Sequence, residues 1–221
     1  MDFSELLYQI SIWALPVLFA ITLHEASHGY IALLFGDDTA KKEGRLSLNP
    51  IKHIDPIGTI LIPAILLFAR APFLFGYAKP VPVDFRNLKN PKRDMIFVAA
   101  AGPLMNILIA VISALLINLI HFLPNAGIQW ALLNLTHSIQ INLILALFNL
   151  IPIPPLDGGR ILVGILPSSL AQPVARIEPF GFLIILGLLI LSPLIGINIF
   201  GKIIGIPFHY LSQLIAPLAN L

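Results

Sequence analysis

The chain has 221 residues, 57% of them hydrophobic and 11% charged, with a net charge of +2 and a mean hydropathy of +0.92. That much apolar side chain cannot be wetted as the surface of a soluble domain, so a polytopic membrane protein is expected. With no cysteine, disulfides, thiolate metal sites and cysteine nucleophiles are excluded, and no basic run points to nucleic acid.

In chain order, the first apolar segment runs over about 6–35. Asp2 and Glu5 precede it where a cleavable signal would carry positive charge, so no signal peptide is expected. A second segment, 56–75, is apolar only in pieces and is broken by Pro63, Arg70 and Pro72. Clear spans follow at 94–123 and 129–151, and another at 179–200 with Pro193 inside it. Each is long enough to cross the hydrocarbon, which needs roughly 20 residues. The tail 201–221, interrupted by Pro207 and Pro217, reads as interfacial or partly crossing. The expected fold is an all-α polytopic bundle with short membrane-associated strands or a re-entrant segment, in one integral-membrane unit over 1–221.

Two connections are rich in Lys and Arg: 37–56 and 76–93. Both are expected in the cytoplasm, and the uncharged turn near 124–127 outside. A full crossing by 56–75 would put the two basic connections on opposite faces. That segment is therefore read as re-entrant or surface-lying, with an additional span as the alternative. The stretches "GRLSLNP" (44–50) and "KPVPV" (79–83) are candidate short strands beside the bundle.

Ionisable groups are costly in the bilayer, yet His24-Glu25-Ala26-Ser27-His28 lies inside the first span. Of only four glutamates and six histidines in the chain, three fall together here. On a helix, positions i and i+4 share a face, so two imidazoles can hold one Zn²⁺ while Glu25 reaches water beside it. Zinc makes hydroxide available near neutral pH, and Glu25 would take the water's proton and pass it to the leaving amine. A third protein ligand is needed, and Asp157 in "FNLIPIPPLDGGR" (148–160) stands out, with prolines before it and glycines after it. An ordinary helix N-cap role for Asp157 is an equal reading at this point. With both basic connections inside, His24 lies roughly 24 Å down the first helix, toward the cytoplasmic half, and the chain returns to that side at Asp157.

Three motifs in order, "HEASH" at 24–28, "AAGPLMN" at 100–106 and "FNLIPIPPLDGG" at 148–159, together with "GRLSLNPIKHIDPIGT" at 44–59, resemble the site-2 protease family of intramembrane zinc metalloproteases, in particular its small prokaryotic members. The resemblance covers roughly three-quarters of the chain. It implies one Zn²⁺ per chain held by His24, His28 and Asp157, with Glu25 as general base. It places Asn149 where the family has an Asn that orients substrate or polarises its carbonyl; an interhelical hydrogen bond is the plainer role for that amide. Asn106 and Gly102, in the second motif, are read as structural. The implied activity is hydrolysis of peptide bonds in or near transmembrane segments of substrate proteins, at an active site toward the cytoplasm. Many members carry a PDZ or CBS domain, and none is expected here. One of the candidate strands would hold an unwound substrate by strand addition. The competing readings are a membrane metal-binding transporter and a non-catalytic relative. The sparse polar lining of the later spans disfavours the first, and the intact Glu25 disfavours the second.

Overall fold

The computed structural model describes residues 2–62, 65, 76, 78–194, 196 and 198–220. The first helix, α1 (Phe3–Leu34), has 32 residues, and Asp2 caps it by accepting the Glu5 N–H at 2.8 Å. At 1.5 Å per residue it is about 48 Å long, more than the hydrocarbon thickness. It passes through Pro16 without ending, as membrane helices tolerate. It stops at Gly36, whose φ of +110° suits a residue with no Cβ.

A single turn, α2 (Thr39–Lys42), opens the first basic connection. The second basic connection leads into α3 (Pro91–Ile117), which starts with proline at its first position, where no N–H is missed. Buried Asp94 reaches back to accept the Asn90 N–H at 2.8 Å and secures that end. After a turn, α4 (Asn125–Asn149) returns antiparallel. Then come α5 (Asp157–Ile165), α6 (Ser168–Ala175), α7 (Glu178–Leu194) and α8 (Ile199–Ile215). By length and apolar character, four helical stretches among the described residues can cross a membrane, Phe3–Leu34, Pro91–Ile117, Asn125–Asn149 and Ile199–Ala219, and the pair Ser168–Ala175 and Glu178–Ser192, bent by 63°, is a fifth candidate as a broken span or re-entrant loop. The protein is a multi-pass membrane helix bundle. Its outer surface carries leucine, isoleucine and phenylalanine, as a lipid-facing surface must.

Helices α1, α3 and α4 form the centre. Ala20, Ala26 and Ala32 of α1, Ala99, Ala110 and Ala114 of α3, and Ala146 of α4 are buried where the helices meet. Small residues let the backbones approach and gain dispersion contact, the main attraction available when lipid is as apolar as the side chains. Against this trio, α8 runs from the site end to the far end. Phe200 stacks on Phe148, and Ile215 and Ala219 pack with Ile117 and Leu143.

Two sequence expectations differ from what is observed, and a third falls largely outside the described residues. The 179–200 segment is not one helix: Gly196 at φ +74° turns the chain, and Asn198 caps α8 by accepting the Gly201 N–H. That turn lengthens the tail helix, which continues through Pro207 and is a candidate span in its own right. Second, neither 44–50 nor 79–83 forms a strand ladder among the described residues. Pro50, Pro80 and Pro82 lack donors, and the Arg45 guanidinium takes up the carbonyls of Lys52, Lys79 (2.9 Å) and Pro80 (3.2 Å) instead. The two segments lie side by side, pinned by one side chain. Third, most of the 56–75 segment lies outside the described residues; its start, Pro56–Leu61, is a π-helical turn capped by Asp55.

Candidate metal centre

On α1, His24 and His28 project from one face, with ring centroids 4.8 Å apart and planes at 85°. Helix α3 presents Val98, Gly102 and Asn106 to them, a stripe at intervals of four residues. The Val98 carbonyl accepts from His28 Nδ1 at 2.7 Å, and Asn106 Oδ1 accepts from His24 Nδ1 at 2.6 Å. With both Nδ1 atoms donating, both Nε2 lone pairs are directed inward. Gly102 is what lets α3 come this close. A Cβ there would sit 2.5 Å from His24 Cε1 and 2.5 Å from His28 Nε2.

The carboxylate of Asp157 meets the rings from a distant part of the chain. Its Oδ2 lies 3.3 Å from His24 Nε2 and 3.4 Å from His28 Nε2, and the two Nε2 atoms are 3.1 Å apart. Asp157 is 6% exposed and this oxygen has no hydrogen-bond partner. Helix α5 has Leu156 at its N-cap and Asp157 as its first residue, so Asp157 does not occupy the N-cap position. Two glycines permit the fold-back that delivers it. A Cβ at Gly158 would strike the Leu150 carbonyl oxygen at 2.2 Å, and one at Gly159 the Pro154 nitrogen at 2.1 Å. Helix α7 presses on the same turn through Gly181, with Pro154 beneath it.

Three lone-pair atoms with no proton between them repel one another unless a cation sits among them. Tetrahedral zinc with nitrogen and oxygen bonds of 2.0–2.2 Å spaces its ligands about 3.3 Å apart. The observed triangle has that size, and its donors are those zinc prefers. The residues fit the ion.

Glu25 stands beside this triangle. Its Oε2 accepts the Val81 backbone N–H at 2.8 Å. Val81 is buried, and its side chain lies close over Gly29, one turn beyond Glu25. His24 and Glu25 open onto a cavity of about 620 Å³ that is also lined by Leu145, Asn149, Phe182 and Ile185. Asn149 thus shares the cavity, with its Nδ2 held by the Leu145 carbonyl at 3.0 Å. Sequence reasoning brought His24, Glu25, His28, Asn149 and Asp157 to this place. It missed Val81, which contributes only a backbone amide, and it read Asn106 and Gly102 as structural although both touch the imidazoles. A small residue and an amide four positions apart, opposite two histidines four positions apart, is the signal that could have found them.

Outside the membrane, buried Asp37 ties the end of α1 to the second basic connection. Its Oδ2 accepts the Asp84 N–H at 2.8 Å and its Oδ1 the Asn87 amide at 3.1 Å, along with the Thr39 hydroxyl. Burial pushes this carboxyl up, but the Thr39, Asn87 and backbone donors outweigh it and hold it below the ordinary value. The Arg86 guanidinium and N–H hold Asp84 down to about 2.

A buried His/His/Asp triangle with a carboxylate beside it, inside an apolar helix bundle, defines a metal-dependent hydrolase of the membrane interior. The comparisons agree. Residues 123–192 match Peptidase family M50. "Putative zinc metalloprotease YwhC" of Bacillus subtilis (strain 168) is 42% identical over 184 residues, covering 81% of this chain and 80% of that protein. Two proteins named Rip2 are also similar. That of Mycolicibacterium smegmatis is 29% identical over 175 residues (78% of this chain, 64% of that protein), and that of Mycobacterium tuberculosis (strain H37Rv) 27% over 186 residues (84% and 69%). No solved structure matches the chain significantly. The chain belongs to peptidase family M50, the site-2 proteases, and is an intramembrane zinc endopeptidase.

Proposed function

We propose that His24, His28 and Asp157 hold the zinc, that Glu25 is the general base, and that the whole of 1–221 works as one integral-membrane protease unit on transmembrane segments of other proteins. The observation that carries the assignment is the unpartnered Asp157 oxygen, brought from beyond α4 to within 3.4 Å of both imidazoles. When bound, zinc supplies a Lewis acid and lowers the pKa of its water to about 7.

The rest of the chemistry belongs to the chain. The apolar cavity excludes bulk water and takes an unwound stretch of substrate. Glu25 keeps one oxygen on the Val81 amide, which fixes its rotamer, and leaves the other to accept a proton from the attacking water. As the C–O bond forms and the C–N bond breaks, that proton passes to the leaving amine nitrogen. The second N–H of Asn149 is positioned to donate to the substrate carbonyl as charge develops there. Both basic connections adjoin the site end of the bundle, which supports an active site toward the cytoplasm.

The test uses the purified full chain in detergent and a model transmembrane substrate. Glu25→Gln keeps bound zinc at the parental level and loses cleavage. Cleavage at the parental rate removes Glu25 from the reaction.

A further inference from the structure

A line of buried polar side chains crosses the apolar middle of the bundle, and the metal centre described above uses only its first member. Asn106, Ser113, Ser138 and Asn142 are each 9% exposed or less. In a bundle surrounded by lipid such groups need partners, and here the partners are one another. Asn106 Nδ2 donates to the Ala20 carbonyl at 3.2 Å and to Asn142 Oδ1 at 2.7 Å. Asn142 Nδ2 in turn donates to the Ser138 carbonyl at 2.9 Å. Beyond it, the Ser138 and Ser113 hydroxyls pair at 2.8 Å.

The direction of this line is determined. A backbone carbonyl only accepts, so the Ser138 carbonyl selects the nitrogen end of Asn142 and turns its oxygen toward Asn106. The Ala20 carbonyl and the Asn142 oxygen together take both N–H groups of Asn106, which leaves the Asn106 oxygen for His24. His24 must then carry its proton on Nδ1 and present a bare Nε2 to the donor triangle. If the Asn106 amide turned over, it would donate to Nδ1, move the imidazole proton to Nε2 and spoil that ligand.

We propose that Asn142, which no motif of the chain contains, is a positioning residue for the metal centre: acting through Asn106, it holds His24 in the tautomer that binds metal. This rests on the ligand assignment above. The Ser138 hydroxyl also accepts from Asn142 Nδ2 at 3.4 Å, so the internal control is taken one step further out, at Ser113, whose hydroxyl pairs with that of Ser138 and touches neither amide.

Zinc dissociation constants are measured by chelator competition on the full-length chain in detergent, with Co²⁺ absorption as a report on ligand geometry. Asn142→Leu, close in volume, weakens zinc binding about tenfold and alters the Co²⁺ spectrum. Asn106→Leu weakens it at least as much, and the double variant is no weaker than Asn106→Leu alone, because Asn142 acts only through Asn106. Ser113→Ala leaves both readouts at parental values. Asn142→Ala carries the same comparison if the leucine variant does not fold. Parental zinc affinity in both Asn142 variants, or a loss that adds to that of Asn106→Leu, overturns the proposal. Zinc uptake unaffected by His28→Ala would instead overturn the ligand assignment, and this inference with it.

Discussion

Gly102 offers the most direct test of how the metal centre is built. A Cβ at this position meets His24 Cε1 at 2.5 Å, His28 Nε2 at 2.5 Å and His24 Nε2 at 2.6 Å, whereas ordinary contact begins at 3.4 Å. In Gly102→Ala the rings and α3 must therefore separate by about 0.9 Å. Neither partner yields easily. Each ring is tethered through Nδ1 to α3 itself, His28 to the Val98 carbonyl and His24 to Asn106. Metal–ligand distances tolerate about ±0.2 Å, so a shift several times larger breaks the coordination geometry. The stability cost is that of overpacking, about 1–3 kcal/mol, which a helix bundle survives. The expected outcome is a folded protein with zinc affinity reduced at least 100-fold and cleavage reduced in proportion, in line with the roughly 100-fold cost of a 1 Å misplacement. Chelator competition on the detergent-purified variant, with helicity checked by circular dichroism, reads it out. Zinc affinity within threefold of the parent would refute the placement of α3 against the histidines.

Further predictions follow from neighbouring contacts. Gly29→Ala puts a Cβ 2.9 Å from Val81 Cγ1, displaces the segment whose amide holds Glu25, and lowers kcat about tenfold at unchanged zinc content; a parental kcat argues against a role for that amide. Asp157→Ala leaves two ligands, and the purified chain retains no zinc after desalting; retained metal would send the search for the third ligand elsewhere. The depressed carboxyls of Asp37 and Asp84 contribute to the fold above the ordinary value of about 3.8 and are lost as pH falls toward about 2. Protection of residues 84–90 from hydrogen exchange accordingly falls as pH drops from about 4 toward about 2, and Asp37→Asn removes the Asp37 share of that dependence while leaving the share carried by Asp84.

The sequence carries the proposed metal ligands openly because their chemistry is costly where they stand. Two histidines and a glutamate in an apolar helix have few bland explanations, and a carboxylate between prolines and glycines needs only a topology that returns it to the same side. What supports those ligands was far less legible. Asn106 is one amide in an apolar run, and nothing in its own neighbourhood says that it faces His24; the contact exists only once α3 lies against α1. Val81 acts through an N–H that every non-proline residue has. The candidate strands form no ladder because Pro50, Pro80 and Pro82 lack its donors and the Arg45 guanidinium takes up the carbonyls instead. Hydropathy alone carries the 179–200 segment through to the tail, whereas the turn at Gly196 and the Asn198 cap divide it between α7 and α8.

The turn that delivers Asp157 is held by main chain lying on main chain: Gly158 on Leu150, Gly159 on Pro154 and Gly181 on Pro154 again. Leu150 is itself exposed, whereas Ile151 and Pro154 are buried. Exchanges at Leu150 should therefore be tolerated, while a single methyl group added at Gly158, Gly159 or Gly181 drives main chain apart from main chain and moves the carboxylate that the turn carries.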